Sequence, residues 1–125
     1  MITGFEEFTT ELNEIEVKKI APFVRSGLLN HVGKENIITG KEICRAVKEK
    51  LDYNLITPRL RKVIYYLQVS GQVKCLCATS RGYFVAKNEQ ELKENLKSLY
   101  DRIQSQTFKY QSVLEQFKEK YRNHG

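Results

Sequence analysis

Between residues 17 and 28 the apolar positions Val17, Ile20, Ala21, Val24 and Leu28 fall on one face of a helix of ordinary pitch. Thr9 or Thr10 is placed to cap this first helix. Pro22 interrupts the pattern, which leaves two readings: the first turn of a helix running to about residue 32, or a kink inside a longer one. "HVGKEN" at 31–36 then has the Gly and Asn of a helix stop.

A short β-branched piece, "NIIT", follows at 36–39. Thr39 with Glu42 three residues on is a capping-box pattern, and it opens "GKEICRAVKEKL" with Ile43, Cys44, Val47 and Leu51 on one face. Thr57-Pro58 predicts an N-cap with proline in the first helical position, starting a second helix over 58–69 that "SGQ" ends. Within it Leu60, Val63, Ile64 and Leu67 share a narrow arc and are expected to be buried. "VKCLCA" and "GYFVA", about a tight "TSRG" turn, predict a β-hairpin within 73–86. Asn88 and Glu91 make another capping pattern before a long final helix.

The last helix carries Leu92, Leu96, Leu99 and Ile103, then Tyr110, Leu114, Phe117 and Tyr121. Four of these, Leu96, Ile103, Tyr110 and Phe117, are spaced strictly by seven and form the expected dimerisation seam. Such a seam pairs with a copy of itself or folds back on the first helix. Gln106 and Thr107 interrupt its second row, and "SQTF" is where a break into two helices would fall.

The fold class that follows is mainly α with a small β-hairpin wing: a winged helix-turn-helix domain over residues 1–87, then a helical extension over 88–125. A hydrophobic fraction of 41% and only two prolines describe a chain able to form a core, and no apolar run approaches the roughly 18 residues that span a bilayer. With an acidic start, "MITGFEEFTTELNEIE", a cytoplasmic location without membrane contact is expected.

The net charge of +6 acquires meaning from its distribution. Residues 1–52 hold eight cations against nine acids, and residues 88–125 hold seven against six. Residues 53–87 hold Arg59, Arg61, Lys62, Lys74, Arg81 and Lys87 with no acid at all. A polyanion is the natural partner of such a segment.

"GKENIITGKEICRAV", "LRKVIYYLQVSGQV" and "SRGYFVAKNEQEL" resemble the winged helix-turn-helix proteins of bacteriophages and prophages. These typically show an "ENxITGKE" opening, an "LRxxIxxLRxxG" second helix and a "GYxxA" wing before a helix. The resemblance covers about residues 33–104. It implies non-catalytic binding of double-stranded DNA, in transcription regulation or replication initiation. The chain departs from that pattern at Cys75 and Cys77 in the wing and in its long C-terminal extension.

On this reading helix 58–69 enters the major groove and wing 73–86 lies on the backbone. The arc opposite the buried one receives Arg59, Arg61, Lys62, Tyr65 and Tyr66, with one tyrosine ring packed inward and its hydroxyl wet. Arg59, Arg61 and Lys62 are expected nearest the bases, and Thr57 with the first free N–H groups can hold a phosphate. Arg81 is the wing tip; Lys74, Lys41 and Lys48 are lesser phosphate candidates. A solvated cationic helix face is the plain alternative, and the absence of acids weighs against it.

Cys44, Cys75 and Cys77 are too few and wrongly spaced for a zinc site or a disulfide framework, so reduced, buried thiols and no metal are expected. No phosphate-cradling glycine loop, nucleophile elbow or acid cluster for Mg²⁺ is present, so neither catalysis nor a cofactor is expected. The competing function is a protein–protein adaptor, contacting a phage or host protein through the winged fold and the C-terminal helix without touching DNA.

Overall fold

A computed structural model describes residues 11–122. The chain is mainly helical, with one two-stranded hairpin and a long C-terminal helix. It forms two compact units, one reaching to Leu92 and one starting at Lys93. The helices are α1 (Ala21–Leu28), α2 (Gly40–Leu51), α3 (Thr57–Ser70) and α4 (Glu89–Phe117); the strands are β1 (Leu76–Thr79) and β2 (Gly82–Val85).

The expected Thr9 or Thr10 cap lies outside the described residues. The first helical segment is capped by Asn13, whose Oδ1 accepts from the Glu16 N–H at 2.7 Å while Glu16 Oε1 accepts from the Asn13 N–H at 3.0 Å. A π-helical turn over Glu16–Ile20 then runs directly into α1. Both readings of Pro22 are partly right: it stands in the first turn of α1, within a longer helical segment. The wider turn ends with the Ala21 N–H donating to the Glu16 carbonyl, one residue before the proline that has no N–H to give.

The Thr39–Glu42 capping box is complete, with bonds of 2.9 and 3.1 Å, and Asp52 closes α2 in the left-handed region. At α3 the cap differs from expectation. Ile56 is the N-cap and supplies no side-chain bond, so Thr57 and Pro58 are both already helical. Gly71, at φ +77°, ends the helix as expected.

The core of this unit joins Ile20, Val24 and Leu28 to Ile43 and Val47 of α2, to Leu60, Val63, Ile64 and Leu67 of α3, and to Val73 and Leu76 ahead of and within β1. The four expected α3 residues are all buried; Tyr66 joins them, so its place in the solvent arc is corrected. Its ring packs inward and its hydroxyl accepts from Gln72 Nε2 at 2.9 Å, while Tyr65 stays exposed.

β1 and β2 pair antiparallel from Leu76↔Val85 to Thr79↔Gly82. β1 begins later than the pattern predicted, because Cys75 takes a left-handed conformation at φ +60° and breaks the extended run. Lys74 therefore precedes the strand, and the expectation of buried thiols holds at Cys77 but not at Cys75, which is exposed. Burial pushes the Cys77 thiol up to about 11.

The hairpin is fixed to the helices by backbone. Ile38 exchanges bonds of 3.0 and 2.9 Å with Tyr83, and Val85 bonds to His31 and Gly33 at 2.8 Å each. The β-branched "NIIT" thus serves as a short third edge for the wing. Gly82, at φ +143°, lies against the Ile38 carbonyl, where a Cβ would collide.

Candidate nucleic-acid interface

The first ionic feature of α3 is internal. Arg59 donates through Nε to Glu16 Oε2 at 2.8 Å, through Nη2 to Glu16 Oε1, and through Nη2 again to the Glu11 carbonyl at 2.9 Å. Glu16 is fully buried, and the hydrogen-bonded guanidinium holds its carboxyl below the usual range. Beside it Lys62 Nζ meets Glu11 Oε1 at 2.9 Å. Two of the three cations expected nearest the bases are therefore occupied by acids of the N-terminal segment. At 100° per residue Arg59 and Tyr66 flank the buried arc rather than oppose it, which is why one pairs internally and the other packs.

A third cation of the acid-free segment is also paired. Lys87 Nζ bridges both oxygens of Glu35 at 3.1 and 3.2 Å. Next to it Glu91, nearly buried, accepts from the Lys87 and Lys34 backbone N–H groups at 3.0 and 3.1 Å. These bonds hold the Glu91 carboxyl below its ordinary value. Asn88 Oδ1 accepts from the Glu91 N–H, so the predicted capping residues also fix the loop after α1 to the start of α4.

Arg61, Lys74 and Arg81 remain. All three are exposed, and no ion pair joins any of them to a described residue. Arg61 shares its arc of α3 with exposed Tyr65 and Val69. Burial pushes the Tyr83 phenol up, and the charge of Arg61 acts against that shift. Arg81 occupies the two-residue turn, where its N–H donates to Thr79 Oγ1 at 3.1 Å and Thr79 Oγ1 donates to the Gly82 carbonyl. The turn is thus held in shape while the guanidinium stays exposed.

Lys74 lies elsewhere, in a groove with Pro22, Arg25, Leu29, Gly71 and Gln72, where Arg25 Nε donates to the Gln72 carbonyl at 3.0 Å. Thr57 is exposed at the start of α3. On α2, Lys41 is exposed, while Lys48 is partnered by Asp52 at 3.1 Å. Arg45, exposed one turn after Lys41, escaped the sequence reading although the four-residue spacing could have shown it.

Exposed groups thus lie on α3 (Arg61 and Tyr65), at the hairpin turn (Arg81) and on α2 (Lys41 and Arg45). A guanidinium on a helix can bond guanine O6 and N7 bidentately, and separate exposed cations can each neutralise a phosphate. Among the described residues no group of three His, Cys, Asp or Glu is placed to hold a metal, and no helix is long and apolar enough to cross a membrane. The chain matches no family model, no curated protein and no solved structure.

Proposed function

We propose that the chain is a non-catalytic, winged-helix binder of double-stranded DNA, acting in the cytoplasm as a regulator or replication-associated protein of the phage type. Arg61, Tyr65 and Val69 of α3 face the major groove. Arg81 lies on the backbone, and Lys41 and Arg45 of α2 take phosphates beside them. The observation that carries the reading is the sorting of the acid-free segment. Of its six cations, Arg59, Lys62 and Lys87 satisfy acids of the first 35 residues, leaving Arg61 and Arg81 exposed on the helix and the wing and Lys74 exposed in a separate groove.

This reading moves the contact from the Arg59 side of α3 to the Arg61 side. Arg59 is then a positioning residue, because displacing it would expose the buried Glu16 carboxylate to an unpaired state. The test is binding of the purified chain to a random-sequence duplex pool at about 50 and 200 mM salt. Three phosphate contacts predict a loss of about fortyfold across that range. Selection from the pool should enrich one motif. Absence of binding at the lower salt would leave the adaptor role as the better account.

A further inference from the structure

We propose that α4 pairs in parallel and in register with the same helix of a second copy of this chain. The helix runs unbroken through "SQTF" to Phe117, and a further turn over Lys118–Arg122 extends it. The row from Leu96 to Phe117 is therefore about 32 Å long. Along it Leu96, Ile103, Tyr110 and Phe117 are between 50% and 66% exposed, and Leu99 and Val113 of the adjoining row are exposed as well. A helix of this kind draws most of its stability from packing of its apolar face, so a face left this open in one chain calls for a partner.

The residue pattern selects a second copy as that partner and sets its direction. Seven-residue spacing puts Leu99, Gln106 and Val113 in the second row of the seam. In a parallel, in-register pair Gln106 meets the second copy's Gln106, and each amide can donate to the other. Any slip by one heptad sets that amide against Leu99 or Val113, so the single polar layer fixes the register.

The flanks decide the direction. One flank of the seam carries Asn95, Arg102, Lys109 and Gln116; the other carries Tyr100, Thr107, Leu114 and Tyr121. Parallel pairing sets the first flank against the second, so Arg102 and Lys109 meet Thr107 and Leu114. Antiparallel pairing sets the first flank against itself, cation to cation. Phe108 stands on the opposite side of the helix, 73% exposed, and takes no part.

The proposal does not depend on DNA binding and is tested without DNA. Sedimentation of the full chain at micromolar concentration should give the mass of two chains. Ile103→Asp and Tyr110→Asp should each reduce it to one chain, whereas Phe108→Asp should leave it at two. The unfolding transition of the first unit serves as the check that each variant is folded. For direction, Leu99→Cys in a Cys75→Ser background should form a disulfide-linked dimer on mild oxidation, since parallel pairing makes the two introduced thiols neighbours. A parent chain of single mass, or equal loss of association in Phe108→Asp, would overturn the pairing. A dimer in which Leu99→Cys fails to cross-link would overturn its direction.

Discussion

Arg59 and Arg61 are two residues apart on one helix and have opposite fates. Arg59 lies at the border of the buried arc, where Glu16 awaits a partner; Arg61 points away from it. Removing Arg59 leaves a buried carboxylate unpaired, so Arg59→Ala should lower stability by about 3 kcal/mol in urea unfolding. Lys62→Ala, breaking a part-exposed pair, should cost less than about 1 kcal/mol. Equal stability of the parent and Arg59→Ala would contradict the internal role. The same contact sets a pH response. Glu16 and Glu91 are held below the ordinary 4.5, so their stabilisation is complete above that pH and is lost as pH falls below it. Glu16→Gln should therefore show a shallower loss of stability between about pH 5 and 3 than the parent. The thiols separate in the same way. Cys75 is exposed and Cys77 is buried with a raised pKa, so a thiol reagent should label one cysteine rapidly, and Cys75→Ser should abolish that phase. The charge of these residues was legible in the sequence. Their partners were not, because Glu16 and Arg59 are 43 positions apart and nothing local links them.

At the scale of elements, local chemistry carried most of the information. Thr39–Glu42, Asn88–Glu91 and Gly71 act at their helix ends as their types dictate, and Thr39→Ala should cost about 1 kcal/mol. Asn13–Glu16 follows the same spacing, so this cap too is legible in the sequence. What local pattern could not show was the role of tertiary backbone bonds. Ile38 fastens the wing at Tyr83, and Cys75 adopts a left-handed turn that shortens β1. This makes a clean comparison within one turn. Gly82→Ala drives a Cβ into the Ile38 carbonyl and should destabilise by about 2 kcal/mol or more, whereas Arg81→Ala should stay within about 0.5 kcal/mol of the parent. Thermal or urea unfolding of the two variants distinguishes wing attachment from wing charge. The long helix was also legible as a heptad row, and its continuity through Gln106 and Thr107 shows that two polar residues did not interrupt a strong helical segment.

Across the whole molecule, charge is divided by position rather than spread evenly. The acidic N-terminal segment and the loop after α1 take three cations from the central segment for structure, while Arg61 and Arg81 face solvent from α3 and the wing and Lys74 from a separate groove. The division predicts that loss of DNA binding and loss of stability belong to different arginines. The most direct test is duplex binding at about 50 mM salt by the parent and by Arg61→Ala/Arg81→Ala, with the folded state of each confirmed by its unfolding transition. The double variant should unfold like the parent and bind at least tenfold more weakly. A double variant that binds DNA as tightly as the parent would contradict the assignment of α3 and the wing as the DNA-contacting surface.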